Sequence, residues 1–383
     1  MKKKIIILFS INILLIISAI ACLVSGSGLK KTLPSQEMSA RWGYGSDISF
    51  AQVSCFMPVG SEMDESAIFE LRKSIDSKLL EASIDPPETG SLYTDAYSTS
   101  GKLTAANGSA DADVDAIGVG GSFFLFHPLR LRGGCYITHD DLMQDRAVLD
   151  EQLAWRLYGS YDIAGMEILI NDVPHVVAGV VQREQDSATK KALTSDAGIY
   201  VSFETMTRHG NASGISTYEI VMPNPISGFA LDTVQELMAN DSYELIENSN
   251  RFDASKLFRL AINFGERGFG KTGIAYPYWE NAARVVENYT AALLSLAVIL
   301  ALFPAVCLVI LLAKGRKALK LYIRRLRAKL LDCIETRREK RWLLETIKDR
   351  QLGPHFKPSD DLHAPDDKPQ SPIDGQNNKA DSD

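Results

Sequence analysis

The chain has 383 residues, 45% of them hydrophobic and 23% charged, with a net charge of −7. That is room for about two to three domains of globular composition, which excludes a chain disordered throughout. No nucleic-acid partner is expected.

The averages hide a strong partition. After MKKK comes IIILFSINILLIISAIACLV, residues 5–24, nearly pure hydrocarbon. At ~1.5 Å per residue a helix of that length spans ~30 Å, the thickness of a bilayer core. Three readings compete: an uncleaved anchor, a cleaved secretory signal, and a lipoprotein signal ending at Cys22. The apolar run is longer than the usual signal core and no clean cleavage site follows, which favours the anchor. Residues 26–45 are small and polar and read as a linker.

The central region, 25–290, reads as a mixed α+β domain. Ile48 to Pro58 is a predicted strand. Asp64 to Ser83 is a predicted helix, with Ile68, Leu71, Ile75 and Leu79 on one face at spacings of three and four. Pro86 to Ala110, rich in Pro, Gly, Ser and Thr, reads as loops and short strands. Strands follow at Asp113–Gly118 and Arg146–Leu149. Asp150 is placed to cap a helix from Glu151 to Tyr158, and Gly159 to end it in a left-handed turn. Met166–Ile170 and His175–Val181 are β-rich runs joined by Asn171-Asp172-Val173-Pro174, a hairpin signal. Further strands are expected at Gly198–Phe203, Tyr218–Met222, Tyr243–Ile246 and Phe258–Phe264, and a helix at Leu231–Ala239. The run Phe123, Phe124, Phe126 is expected in the interior, since aromatics so spaced more often fill cores than ligand boxes.

Residues 291–313, AALLSLAVILALFPAVCLVILLA, carry no charge in a second membrane-length run. Pro304 within it is tolerable in a membrane helix. Residues 314–350 carry fourteen Lys and Arg against five Asp and Glu, whereas residues 26–289 carry twenty-one against thirty-six. Positive charge marks the cytoplasmic side, so both termini are expected inside the cell and the acidic middle outside, in the plasma membrane. The basic segment reads as one helix with Leu319, Ile323, Leu326, Leu330 and Ile334 as an apolar stripe. Arg324, Arg325, Arg327, Arg337 and Arg338 are candidate contacts for lipid or for a partner such as an ATPase; a stalk and a coiled coil are the alternatives. Residues 351–383, dominated by Pro, Asp, Ser, Asn and Gln, are expected to be disordered.

Gly265 to Thr272 reads GERGFGKT, a literal match to the phosphate-cradling loop G-x-x-x-x-G-K-[ST]. Its context is wrong. It lies on the expected outer side, away from cytoplasmic ATP, and Pro277 interrupts the helix whose N-terminus would receive phosphate. Gly265, Gly270, Lys271 and Thr272 are therefore read as a chance match, and no cofactor is expected. His127, His139, His175 and His209 lack metal-ligand spacing, His139-Asp140-Asp141 reads as an acidic turn, and no metal is expected. No catalytic constellation is evident, so the chain is not expected to be an enzyme. Cys55 and Cys135 share the outer compartment and either form a disulfide or stand as two small apolar residues.

Asp113 to Val181 resembles the extracytoplasmic core domain of MacB-type ABC-transporter permeases. The resemblance rests on GVGGSFFLFHPLRLRGGCYI (Gly118–Ile137), the acidic turn His139-Asp140-Asp141, the helix Ala147–Gly159 and the closing run Asp162–Val180. It implies a part in passing motion of membrane helices to an outer domain, with separate ABC ATPase and permease subunits, or further copies of the chain, as partners. The chain departs from that family in having two predicted spans instead of four, no fused ATPase, and Gly133-Gly134 where the family has Gly-Arg. The functional expectation is a non-catalytic component of an export or signalling assembly; the alternative is a membrane-anchored sensor or scaffold with no ATPase partner.

Overall fold

The computed structural model describes residues 2–85, 90–138, 141, 143–193, 195–263 and 273–351, the last with backbone alone at 317–319, 321 and 333–351. The chain divides into two compact units at Cys307/Leu308. The first holds α1 (Lys2–Lys30), β1 (Phe50–Phe56), α3 (Glu65–Glu81), β2 (Thr94–Ala106) and β3 (Asp111–Gly121). Between α1 and β1 lie a 3₁₀ turn (Pro34–Gln36) and α2 (Met38–Trp42). Next come α4 (Phe123–Phe126), β4 (Arg130–Gly134), β5 (Arg146–Asp150), α5 (Glu151–Tyr158), β6 (Glu167–Ile170), β7 (Val173–Gln182) and α6 (Ser187–Ala192). β8 (Gly198–Ser202), α7 (Phe203–His209), β9 (Thr217–Pro223), α8 (Phe229–Leu237), β10 (Glu244–Glu247) and α9 (Ala254–Ile262) complete the outer part. The last helix, α10 (Tyr278–Gln351), begins in the first unit and ends in the second.

The strands run β10-β1-β9-β2-β3-β8-β5-β7-β4, and β6 pairs with both β2 and β7. That extra pairing closes β2, β3, β8, β5, β7 and β6 into a ring, leaving β10-β1-β9 with the first half of β2 as an open sheet. The open part follows β1-α3-β2 and β9-α8-β10 in the spatial order 4-1-3-2, the ferredoxin-like split βαβ arrangement. α3 and α8 cover one face, packing Ile68, Ile75, Leu79 and Val234 on Val53, Ile220 and Tyr218. The other face receives α2, α4 and the start of α10, with Met38, Phe123, Phe126 and Trp279 against Ala96 and Val221. The ring is filled by Leu103, Val114, Leu149, Ile168, Val180 and Ile199, sealed by Leu153 and Leu157 of α5.

Local chemistry explains much of this. Asp150 caps α5 by accepting from the Leu153 amide, and Gly159 ends it at φ +65°. Asn171 and Asp172 both take positive φ, making a two-residue turn between β6 and β7 tighter than a four-residue connection. Phe123, Phe124 and Phe126 are all buried.

Three expectations are corrected. Residues 94–106 form one 13-residue strand, not short pieces in a loop. The segment 26–45 is not a plain linker: α1 continues to Lys30, then the 3₁₀ turn and α2 follow, with Ser35 and Gln36 buried. The strand expected at Phe258–Phe264 is replaced over 258–262 by α9, Ala254–Ile262, and Phe264 lies outside the described residues.

α1 and the first part of α10 are each long and apolar enough to cross a membrane, over Lys3–Lys30 and Tyr278–Arg316. They meet where a Cβ on Gly26 would stand 3.3 Å from Thr290 Cγ2. Asn12, Leu15, Ala19, Cys22, Gly26 and Leu29 form the less exposed stripe of α1 at alternating steps of three and four, the spacing of a helix–helix seam.

Candidate functional site

Both membrane-length helices are fastened to the same edge of the open sheet. Gln52 of β1 holds the chain leaving α1: its Nε2 donates to the Ser35 carbonyl at 2.8 Å, and its Oε1 accepts from the Met38 amide at 3.1 Å. Its backbone amide in turn donates to Ser249 Oγ at 2.7 Å. Buried glutamine in a strand is unfavourable unless satisfied, and here both polar atoms of the side chain are used.

Arg251, in the turn after β10, holds α10. Its guanidinium grips Glu280 in a fork, Nη1 to Oε2 at 2.7 Å and Nη2 to Oε1 at 2.8 Å, and donates from Nε to Glu287 Oε2 at 2.9 Å. A further contact, Nη1 to Gln36 Oε1 at 3.3 Å, brings in the segment after α1. Glu280 and Glu287 stand two turns apart on one face of α10. Arg284 between them donates to Glu280 at 2.7 Å and to Glu244 of β10 at 2.8 Å. The side chains of Arg251, Glu280 and Glu287 keep only 3%, 1% and 8% exposure. Burial alone would lower the Arg251 pKa, but the two carboxylates outweigh it and hold the charge above its ordinary range.

A second buried chain of polar groups lies beside this clamp. His127 Nε2 meets Glu219 Oε2 at 2.5 Å, Ser54 donates to Glu219 at 2.9 Å, and Asn248 donates to Ser54 at 2.7 Å. The Trp279 ring, first turn of α10, lies 4.3 Å from the His127 ring.

Between the ring of strands and the start of α10 opens a cleft of about 330 Å³. Asp150, Arg183, Glu184, Tyr200 and Tyr278 line it, with Leu129 among the apolar walls. Burial pushes Asp150 up to about 6, against the Leu153 amide and Arg183, which favour its charge. Burial also raises Glu184, although its hydrogen bond to Tyr278 and the nearby His127 pull the other way. The Tyr200 and Tyr278 hydroxyls are 3.2 Å apart. Among the described residues the cleft places no nucleophile against a general base, and no group of metal-ligating side chains occurs.

The residues singled out from sequence fare differently. The Cys55–Cys135 disulfide is not formed. Cys55 is buried in β1, while Cys135 follows β4 as an exposed free thiol whose Sγ approaches the Ala178 carbonyl. β1 and β4 are not neighbours in the sheet, whereas a disulfide needs Cα atoms within about 7 Å. Gly265, Gly270, Lys271 and Thr272 lie outside the described residues, as do His139 and Asp140. Arg324, Arg325 and Arg327 are exposed on α10, and the side chains of Arg337 and Arg338 are not among those described. His175 is a satisfied sheet residue, in contact with the Val173 carbonyl at 2.9 Å and Thr205 Oγ1 at 3.3 Å. Gly134 has φ +76°, and an added Cβ would stand 2.2 Å from the Ala178 carbonyl, so this backbone leaves no room for a side chain there.

The clamp residues Arg251, Glu280, Glu287, Arg284 and Gln52 were not among the candidates. One signal was available: a charged triplet Glu280, Arg284, Glu287 at helical spacing directly ahead of an uncharged run.

A family model for the MacB-like periplasmic core domain matches residues 11–239, more than half of the sequence. The chain belongs to this family. Among solved structures it is similar to the extracellular domain of the noncanonic ABC-type transporter YknZ from Gram-positive bacteria, at 14% identity and a TM-score of 0.35. That match covers 51% of this chain and 99% of the other. It is also similar to the periplasmic region of MacB from Actinobacillus actinomycetemcomitans, at 18% identity and a TM-score of 0.36, over 52% of this chain and 89% of the other. No curated protein matches. The family and the two flanking apolar helices make this a membrane protein with an extracytoplasmic middle domain.

Proposed function

We propose that this chain is a two-span, non-catalytic component of an ABC-type export or signalling assembly, and that its outer domain moves with its membrane helices as one piece. The ATPase and any further permease helices come from other chains. The observation that carries the reading is the double clamp: Gln52 on the segment after α1, and Arg251 on Glu280 and Glu287 of α10. A flexible tether would let the helices shift without moving the sheet. Charge pairs buried this deeply hold one geometry, because any displacement strands a charge in a dry site.

Purification of the full chain from native membranes in mild detergent tests this. An ABC ATPase is expected to co-purify, and Arg251→Ala is expected to retain the partner while uncoupling outer-domain conformation from nucleotide state. Absence of any ATPase after cross-linking in native membranes would overturn the reading. It would favour the second one, a membrane-anchored sensor, for which the 330 Å³ cleft beside α10 is the supporting feature.

The proposed orientation puts both termini in the cytoplasm, on the strength of the Lys and Arg distribution. A membrane-impermeant maleimide added to intact cells should label the exposed Cys135 and spare Cys333 until the cells are lysed. The opposite pattern would invert the topology.

A further inference from the structure

α9 has two apolar faces where a helix on a soluble domain has one. Leu257 and Leu260 are buried, packed with Ala291 and Leu294 of α10. On another face Phe258 and Ile262, one turn apart, remain 49% and 67% exposed. A surface helix in water turns charged and polar groups outward, and two large apolar side chains in adjacent turns facing outward call for a cover.

The position of α9 along α10 identifies that cover. Glu287 is the last charged residue of α10 before the apolar run, and none follows until Lys314. α9 rests on Ala291 and Leu294, the first turn of that run. Tyr289, 52% exposed, sits just above, as aromatic residues do at a bilayer interface. Cations gather at the same level. Lys191 Nζ donates to the Tyr289 hydroxyl at 3.3 Å, and Lys30 Nζ stands 5.8 Å from the ring of Phe252, which packs in the same cluster as Ala291. α9 itself contributes Lys256 and the exposed Arg259.

We propose that α9 is an interfacial helix lying in the headgroup zone of the outer leaflet. Phe258 and Ile262 enter the acyl boundary, and Arg259, Lys191 and Lys30 meet lipid phosphates. It acts as a depth stop, fixing how far α10 can slide through the bilayer and hence how high the outer domain stands. The inference rests on the reading of α10 as membrane-spanning.

The test uses the full chain reconstituted in phosphatidylcholine–phosphatidylglycerol vesicles, with and without lipids brominated near the headgroup end of the chains. Phe258→Trp is compared with Ile299→Trp, exposed on the apolar run of α10, and with Phe69→Trp, exposed on α3 of the outer domain. The four native tryptophans supply a constant background that is subtracted. Brominated lipid is expected to quench the added emission of Phe258→Trp at least about twofold and to leave that of Phe69→Trp unchanged, while aqueous acrylamide does the reverse. Quenching in Ile299→Trp without quenching in Phe258→Trp would overturn the depth-stop role alone. Quenching in neither would remove the spanning reading on which it rests.

Discussion

The ring of strands and the clamp on α10 are both buried, but by opposite means. The ring is filled with Leu103, Val114, Leu149, Ile168 and Val180, side chains that lose water and little else. The clamp buries Arg251 against Glu280 and Glu287, with the partly exposed Arg284 and Glu244 beside them, a heavy desolvation penalty that is offset only if every partner is in place. The ring can lose a methyl group and relax. The clamp cannot lose a partner without leaving a charge behind. Stability comes readily from the first kind of interior, and a single fixed orientation comes from the second.

Single substitutions should break that contrast most visibly. Arg251→Ala leaves Glu280 and Glu287 in a dry site and is expected to cost about 3–5 kcal/mol. Leu149→Ala in the ring, where the side chain is fully buried, is expected to cost about 2–4 kcal/mol. Thermal unfolding of the full chain in detergent measures both. The sharper test combines Arg251→Met, Glu280→Met and Glu287→Leu. Restoring an apolar interior should recover most of the stability lost by Arg251→Ala while leaving the orientation of α10 unspecified. If the triple variant is no more stable than Arg251→Ala, the clamp is not acting through its stranded charges.

A smaller effect is expected at Asp150, which borders the ring and the cleft. Its pKa is about 6 in the folded protein against an ordinary 3.8, because burial penalises the carboxylate. Its contribution to stability is therefore full below about 4, where both states are protonated, and is lost as pH rises through about 6. Asp150→Asn removes that loss. Asn can still accept from the Leu153 amide, and Arg183 keeps Gln152 at 3.3 Å and the Ser195 carbonyl. The variant should gain on the wild type between pH 4 and pH 7 by up to about 3 kcal/mol. A pH-independent difference in unfolding temperature would show that the Arg183 pair, not desolvation, controls this carboxylate.

What the sequence revealed of this contrast follows from the range of the interactions involved. α3, the Asp150 cap with its Gly159 stop, and the Asn171-Asp172 turn depend on neighbours within a few residues and were legible. β2 was not, because Thr94–Ala106 reads TDAYSTSGKLTAA, a composition that resembles a loop until β3, β9 and β6 are laid beside it. Phe258–Phe264 reads as a strand in sequence because an apolar cluster of that length fits either period. The clamp was the least legible feature. Arg251 and Glu280 are 29 residues apart, and nothing local says that one guanidinium will choose those two carboxylates. Cys55 and Cys135 stay open in sequence between a disulfide and two small apolar residues for the same reason: strand order, not compartment, decides which thiols can meet.

The smallest effect is expected at the most conspicuous motif. A phosphate-cradling loop needs a strand before it and a helix starting at its Lys-Thr end, so that backbone amides and the helix dipole converge on the phosphates. Here the described flanks are reversed. A helix, α9, ends at Ile262, and after Thr272 the chain is not helical: Gly273 accepts from the Val59 amide at 3.0 Å, and Ile274 bridges Pro58. α10 begins only at Tyr278, after Pro277. Those flanks do not supply the helix N-terminus on which phosphate binding by such a motif depends. Mg-ATP should therefore leave the unfolding temperature of the full chain unchanged, because a ligand that does not bind the folded state cannot stabilise it. Lys271→Ala should change neither that temperature nor partner retention. An ATP-dependent rise of several degrees that Lys271→Ala abolishes would restore nucleotide binding to this loop and place the energy source in the chain itself.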